Sequence, residues 1–296
     1  MNASEDKKNQ VALVLQGGGA RGAFSSGVLD VFAEAGIDFP YFIGTSAGAL
    51  CACNFISGDQ GRNRYICTEL LADPKFVSFR NLLFKRTAFN FGYLFFTVPQ
   101  TIYPFNEEAF FADDRPFYAA CTSMETGEAA YFNKQDMQGK EFYDALTASA
   151  SLPLLSKAIT VDGKKYLDGG PAASIPFKKP LEDGCEKIVV VLTRARGYRK
   201  TSNRSAEIRL AKALYRKYPA FVAKFKEASK VYNDDMEELE RLEKDGKAFC
   251  IYPDNPPKIG RAEKDKEKLL ALYEEGRQVA TRLLPELKAF MGAGDE

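Results

Sequence analysis

The stretch VALVLQGGGARGAFSSGVLDVF, residues 11–32, predicts a buried strand, a glycine-rich turn and a helix in direct succession. Its apolar run at 11–15 ends in three glycines, and apolar residues then recur at helical spacing towards Gly36, a plausible helix stop. A second unit follows, because FPYFIGT at 39–45 is another short apolar run and SAGALCACNFIS at 46–57 suits a helix. Two such units in a row predict the start of a parallel α/β sheet.

The middle of the chain adds strands to this sheet. FYAACTSMETGEAAYFN at 117–133 predicts two strands around a turn, and EFYDALTASASLPLL at 141–155 predicts a helix that ends before Pro153. AITVDGKKYLDGG at 158–170 is typical of a hairpin with an Asp-Gly turn, and EKIVVVLTRA at 186–195 is a further buried strand. The predicted fold is therefore α/β, with a mostly parallel central sheet flanked by helices.

After about residue 200 the sequence becomes charged and helical. Pro219 indicates a break or a new helix start, AFCIYPDNPP at 248–257 predicts one late strand, and the segment at 269–290 predicts a final helix. We therefore divide the chain into three parts. These are a polar N-terminal tail at 1–10, an α/β domain at 11–200, and a charged helical region at 201–296 packed on the same domain.

Composition excludes several classes of protein. The net charge is +1 over 296 residues, so no global field indicates nucleic acid as a partner. The N-terminus is polar, and the five-residue apolar run after it is too short for a signal peptide or a membrane span, which predicts a cytoplasmic protein. The six cysteines are scattered and the chain has no histidine, so we expect free thiols, no metal site and no cofactor.

Ser46 is a candidate nucleophile. Gly44-Thr45-Ser46-Ala47-Gly48 fits the G-x-S-x-G pattern of a nucleophile elbow, in which a serine stands on a sharp turn between strand and helix. Gly44 and Gly48 remove bulk beside the turn, and the helix N-terminus would face the developing anion. The alternative is a helix-capping serine in a glycine-rich turn.

QGGGARG, residues 16–22, allows two interpretations. Gly17, Gly19 and Gly22 satisfy the G-x-G-x-x-G pattern of a dinucleotide-binding turn, but that function also needs an acid at the end of the second strand. Asp38 has roughly the right spacing and lies before that strand instead. The N–H groups of the same turn could form an oxyanion hole, with Arg21 shaping the turn, meeting an anion or lying at the surface.

With histidine absent, the base for Ser46 must be another side chain. Asp168 ends the second strand of the predicted hairpin, and Gly169 and Gly170 after it would let another loop approach its carboxylate closely. Partial burial would raise its pKa and make it a better base. The alternative is an aspartate that only forms a turn.

Taken together and in order, QGGGARGAFSSGVLDVF, GTSAGAL and YLDGG resemble the glycine-rich loop, serine elbow and D-G-G motif of patatin-like phospholipases. ALTASASLPLL also resembles the stretch that leads to D-G-G in that family. The resemblance spans residues 11–195, and Pro171 after D-G-G departs from the expected apolar residue. It implies a three-layer α/β/α catalytic domain at 11–200 that acts through a Ser–Asp dyad without histidine.

By this resemblance, Ser46 is the nucleophile, Asp168 is the base, and the loop of Gly17, Gly18, Gly19, Ala20, Arg21 and Gly22 forms the oxyanion hole. The implied activity is hydrolysis of lipid carboxylic esters of the phospholipid or lysophospholipid class. Alternatives are acyl transfer by the same dyad, nucleotide binding through G-x-G-x-x-G, and a lipid-binding protein with an inactive site.

Two segments fit a lipid substrate without requiring one. The phenylalanine-rich stretch at 76–111 would be core, a lid or acyl-chain groove, or a lipid-contacting surface. The basic run at 194–230 would be a solvated helix face or a site for anionic headgroups, which makes peripheral contact with the inner membrane surface a further expectation.

Overall fold

The computed structural model describes residues 11–59, 61–78, 84, 87–137, 139–201 and 204–292. The predicted tail at 1–10, and parts of the segments 76–111 and 194–230, lie outside the described residues.

The strands are β1 (Val11–Leu15), β2 (Tyr41–Thr45), β3 (Phe117–Ser123), β4 (Ala129–Asn133), β5 (Ile159–Val161), β6 (Lys164–Asp168), β7 (Lys187–Val191) and β8 (Ala248–Ile251). They form one sheet in the order β5-β6-β3-β2-β1-β7-β8, with β4 also paired to β3. The pairs from β3 through β2, β1 and β7 to β8 are parallel, whereas β4, β5 and β6 join antiparallel. The predicted mostly parallel α/β sheet is confirmed.

The α-helices are α1 (Gly22–Glu34), α2 (Ala47–Ile56), α3 (Arg62–Thr68), α4 (Val98–Thr101), α5 (Glu107–Ala112), α6 (Lys140–Ala150), α7 (Lys178–Glu182), α8 (Ser205–Leu214), α9 (Pro219–Lys244) and α10 (Lys266–Met291). A π-helical turn at Tyr93–Thr97 precedes α4. As predicted, Pro219 begins a new helix, where its missing N–H costs no hydrogen bond. No helix in the described ranges is long and apolar enough to cross a membrane.

Both faces of the sheet are covered by helices. The strand β1 reflects this, because all its residues are apolar and buried. Leu13 and Leu15 belong to the larger core, which α1, α2 and α10 cover. Ala12 and Val14 belong to a second core, which includes Tyr232 of α9. A strand buried on both sides is typical of a parallel sheet between two helical layers.

The C-terminal region packs directly on this sheet. It contributes the edge strand β8, and α10 crosses α1 with glycines at the contact. A Cβ atom on Gly27 would lie 2.1 Å from the carbonyl oxygen of Tyr273, and one on Gly276 would lie 2.2 Å from that of Phe24. The two backbones can therefore approach this closely only because both residues lack a side chain.

One edge of β3 is shared by two strands, and this sharing brings the two candidate catalytic residues together. The first half of β3 pairs with β2 up to Thr45, which is opposite Ala120. The same edge then pairs with β6, with Asp168 opposite Cys121. The end of β6 therefore lies beside the residue that follows β2, which is Ser46.

Candidate active site

Ser46 lies at a strained turn between β2 and α2. Its backbone angles are φ 58° and ψ −126°, and the residue is buried. A non-glycine residue in such a conformation costs about 1–3 kcal/mol and persists only where its surroundings impose it. Part of that support comes from Ser149, whose Oγ accepts the Ser46 N–H at 2.9 Å and donates to the Ala120 carbonyl at 2.7 Å.

Gly44 and Gly48 are positions of close backbone contact on either side of this turn. A Cβ on Gly44 would lie 2.4 Å from the backbone nitrogen of Ala49, and one on Gly48 would lie 2.4 Å from the carbonyl oxygen of Leu15. The sharp turn at Ser46 therefore needs both glycines.

Asp168 ends β6, and its backbone is held on both sides. Its N–H donates to the Ser151 carbonyl at 2.9 Å, and its carbonyl accepts from Thr122 Oγ1 at 2.8 Å. In the carboxyl group, Oδ1 accepts the Gly170 N–H at 2.7 Å. The other oxygen, Oδ2, is buried and has no hydrogen bond of normal length and angle with any described residue.

The surroundings of Asp168 raise its pKa. Burial is the largest cause, since it disfavours the charged carboxylate. The Ser46 side chain, the Gly170 N–H and the positive charges of Arg261 and Lys200 act in the opposite direction and do not cancel it. A carboxylate with a raised pKa beside a serine hydroxyl is suited to accept that proton.

The glycine-rich loop leads from β1 to α1, and most of its N–H groups already have partners. Those with backbone acceptors are the N–H groups of Gly17, Ala20, Arg21 and Gly22. The N–H groups of Gly18 and Gly19 have none among the described residues. These two are therefore the donors that remain for a developing oxyanion.

The C-terminal region holds this loop in place. The Ala20 N–H donates to the Arg261 carbonyl at 2.9 Å. Gly19 has φ +57°, and a Cβ there would lie 2.4 Å from the same carbonyl oxygen. The conformation of the loop therefore depends on contact with Arg261, which lies more than two hundred positions away along the chain.

Two cavities meet at Ser46. The first, here called the polar cavity, has a volume of about 180 Å³ and lies on the Asp168 side. Its charged lining residues are Arg21, Asp168, Arg194, Lys200, Arg204 and Arg261. Five of these six carry positive charge, so the side of Ser46 that faces Asp168 is strongly basic.

The second, here called the apolar cavity, has a volume of about 50 Å³. It runs from Ser46 between α2 and α3 and is lined mainly by Leu50, Cys51, Ile66, Cys67, Leu71, Phe76, Phe89, Phe91, Ala150 and Leu152. Leu50 and Ile66 also line a smaller, deeper cavity of about 20 Å³ that reaches Phe95 and Phe105. The apolar cavity suits a hydrocarbon chain, because its lining is apolar apart from Ser46 and two side-chain amides. The smaller cavity is also lined by Arg62.

The phenylalanine-rich segment at 76–111 supplies both core and cavity. Phe110 is fully buried among other aromatic rings, whereas Phe76, Phe89 and Phe91 line the apolar cavity. Phe96 is half exposed. The segment therefore contributes both to the core and to the lining of a cavity.

Asp38, the acid considered for a nucleotide, lies at the other end of the sheet. It precedes β2 and pairs with Arg115, whereas the glycine-rich loop follows the carboxyl end of β1. In the described ranges, no group of three or more acidic or cysteine residues is arranged to hold a metal ion.

The sequence patterns missed several residues of this site. No sequence pattern identifies Ser149 as the support of the elbow, and none places Lys200 or Arg261 in the site. Ser149 lies in the stretch before the D-G-G motif, which was the available signal. Arg261 gave none, because it lies in a loop between β8 and α10 without a motif.

Comparisons with known proteins agree with this fold. A family model described as patatin-like phospholipase matches residues 13–181, and a second, a domain of unknown function (DUF6363), matches residues 218–292. The chain is 31% identical over 199 residues to the uncharacterized protein YjjU of Escherichia coli (strain K12), a match that covers 62% of this chain and 52% of YjjU. It thus spans about half the length of that relative.

Among solved structures, VipD from Legionella pneumophila is similar in fold, with a TM-score of 0.52 and 12% identity over 94% of this chain and 67% of VipD. The first family model covers more than half of the chain, including β1, the serine elbow and the D-G-G motif. The chain therefore belongs to the patatin-like phospholipase family, whose members are hydrolases of lipid esters.

Proposed function

We propose that this protein is a serine acyl-hydrolase that cleaves carboxylic esters of phospholipids or lysophospholipids through Ser46 and Asp168. The observation that carries the proposal is the meeting of two chemically opposite cavities at the Ser46 hydroxyl. An ester of a fatty acid with a polar alcohol has the same division, with the scissile bond at the boundary. The acyl chain would occupy the apolar cavity and the alcohol the polar cavity.

In the first step, Ser46 Oγ attacks the acyl carbonyl carbon and its proton passes to Asp168 Oδ2. That oxygen is otherwise unpartnered among the described residues, so it is free to take the proton. The carbonyl oxygen becomes an oxyanion and accepts hydrogen bonds from the N–H groups of Gly18 and Gly19. Donors fixed in advance stabilise such an anion without further reorganisation.

In the second step, the tetrahedral intermediate collapses and the alcohol leaves with the proton held by Asp168. The acyl group remains on Ser46 as an ester. Water then attacks this ester while Asp168 accepts a proton from it, and Asp168 returns that proton to Ser46 Oγ as the fatty acid leaves. Proton and charge balance over the cycle, so the dyad needs no histidine.

The test is hydrolysis of a panel of short- and long-chain esters by the wild-type protein and by Ser46→Ala. We expect Ser46→Ala to lower kcat by about 10⁴-fold or more, since loss of a nucleophile leaves only binding and the oxyanion hole. A fluorophosphonate probe should label the wild-type protein and not the variant. Full activity of a folded Ser46→Ala protein would refute the mechanism, and product analysis with an added alcohol would detect acyl transfer.

We also propose peripheral contact with a lipid surface through α8. Leu210 and Leu214, one turn apart on this helix, are about half exposed, at 48% and 57%. Arg209 and Lys212 on the same helix are exposed as well. The helix begins directly after Arg204, which lines the polar cavity, so contact here would bring the cavity close to its substrate.

A further inference from the structure

The polar cavity holds more positive charge than the chemistry at Ser46 needs. Five cationic side chains line it, and Asp168 is the one acid among its lining residues in the described part of the chain. Arg204 has an acidic partner outside the cavity, Glu207, at 2.6 Å. The remaining four form no ion pair within the described residues: Arg21, Arg194, Lys200 and Arg261.

Arg21 is the most deeply placed of these cations. Its side chain is 9% exposed, and its buried Nε has no hydrogen-bond partner among the described residues. Burial, together with repulsion from Arg194 and Arg261, lowers its pKa to about 9. A buried guanidinium N–H without an acceptor is costly, and an anion in the cavity would supply one.

Lys200 experiences the same crowding. Burial, followed by repulsion from Arg261, Arg21 and Arg204, lowers its pKa to about 7, while Asp168 acts in the opposite direction. Lys200, Arg21 and Arg261 all line the polar cavity, so these side chains surround one volume. An anion in that volume would relieve several repulsions at once.

Aromatic rings hold three of the cations in position. The Arg194 Cζ lies 4.5 Å from the ring centroid of Tyr198, and the Arg204 Cζ lies 4.4 Å from that of Phe225. Lys200 Nζ lies 4.1 Å from the centroid of Tyr232. A guanidinium stacked by its face keeps its N–H edge available for oxygen acceptors, so the cavity is arranged before an anion enters.

We propose that the polar cavity is a phosphate subsite, and that the preferred substrate is a lipid ester whose leaving alcohol carries a phosphomonoester, as in a monoacylglycerol phosphate. Apart from Asp168, no acid lines the cavity in the described residues, so it offers little to the ammonium of a zwitterionic headgroup. This inference rests on the proposed esterase function.

The kinetic test uses two short-chain esters that differ only by the phosphate, 1-octanoylglycerol 3-phosphate and 1-octanoylglycerol. We expect kcat/KM to be about tenfold or more higher for the phosphate, since charge-assisted hydrogen bonds supply the difference. Lys200→Met and Arg261→Gln should each lower the ratio of the two kcat/KM values, phosphate over 1-octanoylglycerol, by about tenfold. Lys200→Arg should retain most of the preference.

Arg209→Gln is the matched control, because it removes one exposed positive charge from α8 outside the cavity. It should leave the preference for the phosphate unchanged. Equal kcat/KM values for the two esters in the wild-type protein would overturn the proposal. So would an equal loss on both esters in the Lys200→Met and Arg261→Gln variants.

Calorimetry with the Ser46→Ala protein separates a headgroup from a free ion. Glycerol 3-phosphate should bind more tightly than inorganic phosphate. Adding Lys200→Met to Ser46→Ala should weaken the binding of both compounds and leave the melting temperature unchanged. No binding of either compound would overturn the subsite, and equal binding of both would overturn its assignment to a headgroup. Binding of glycerol 3-phosphate by a wild-type protein that hydrolyses no ester would instead refute the proposed function and keep the subsite.

Discussion

The polar and apolar cavities share Ser46 but come from different parts of the chain. The apolar cavity is lined by residues between Gly19 and Leu152, all inside the region matched by the patatin-like phospholipase model. In the polar cavity, Arg21 is inside that region, whereas Arg194, Lys200, Arg204 and Arg261 lie beyond residue 181. The apolar cavity, which we propose binds the acyl chain, thus comes from the segment that the family model matches, and most of the charge in the polar cavity comes from outside that segment.

Under our proposals, this difference separates the residues that carry out the reaction from those that select the headgroup. The dyad and the N–H groups of Gly18 and Gly19 belong to the common segment, so a change there should affect every ester alike. A change in either cavity should alter which ester is used. The following predictions test this division, beginning with the largest effect.

Asp168→Asn should abolish hydrolysis of every ester, whichever group occupies either cavity. The amide cannot accept the Ser46 proton, so we expect kcat/KM to fall by about 10³- to 10⁴-fold on all esters, whatever their chain or headgroup. The amide oxygen can still accept the hydrogen bond from the Gly170 N–H, so the local fold should be kept. The measurement is kcat/KM on the ester panel, and a loss confined to phosphate-bearing esters would contradict the shared role.

The same variant provides a test by pH. Only ionised Asp168 can act as base, and burial raises its pKa, so wild-type activity should fall with decreasing pH at a higher pH than an ordinary aspartate of about 3.9 would give. The free energy of unfolding should fall as pH rises from the unfolded pKa through the raised folded pKa, because the ionised form is disfavoured in the fold. Asp168→Asn lacks this loss and should melt at the same or a higher temperature at pH 7.

The fold was predictable, and the two residues of the proposed dyad could be named, because their signals are local. The apolar run of β1 followed by glycines, the elbow around Ser46 and the Asp168-Gly169-Gly170 motif each lie within a few consecutive residues. The proximity of Ser46 to Asp168 follows from β6 taking over the edge of β3 from β2, a pairing that no short pattern encodes. The residue types and the family resemblance suggest the pair, and the strand order explains why the two residues lie close together.

The polar cavity was not predictable for a related reason. Its cations are spread from Arg21 to Arg261, and a lone arginine or lysine in a sequence is usually a solvated surface residue. In the basic run at 194–230, Lys200 turns into the cavity and Arg209 stays exposed, although the two are close in sequence and similar in charge. The hydrogen bond from Ala20 to the Arg261 carbonyl likewise joins segments that only the tertiary structure brings together.

Ile66→Phe should change the apolar cavity alone. Ile66 lines both the apolar cavity and the deeper cavity beyond it, so a larger ring there should block the passage and leave the space beside Ser46 open. Each buried methylene contributes about 0.8 kcal/mol, so losing two or three of them should lower kcat/KM for long-chain esters by about tenfold or more. Butyrate esters should change little.

The control for this variant is the headgroup preference, which should stay as in the wild-type protein because Ile66 does not line the polar cavity. The Ile66→Ala variant should show the opposite trend, with equal or better use of long chains at some cost in stability. A uniform loss on butyrate and long-chain esters in Ile66→Phe would mean that the ring disturbs Ser46 itself, and the division between the cavities would not hold at this position.

The smallest effect concerns the surface outside both cavities. Leu210→Ser with Leu214→Ser removes two half-exposed apolar side chains from α8. We expect weaker sedimentation with vesicles of anionic phospholipid and a loss of about three- to tenfold in activity on those vesicles, since two leucines contribute little compared with full burial. Activity on dissolved octanoyl esters should be unchanged, because neither residue lines a cavity. An equal loss on vesicles and on dissolved esters would show that α8 acts by supporting Arg204 at the polar cavity, and not by contact with lipid.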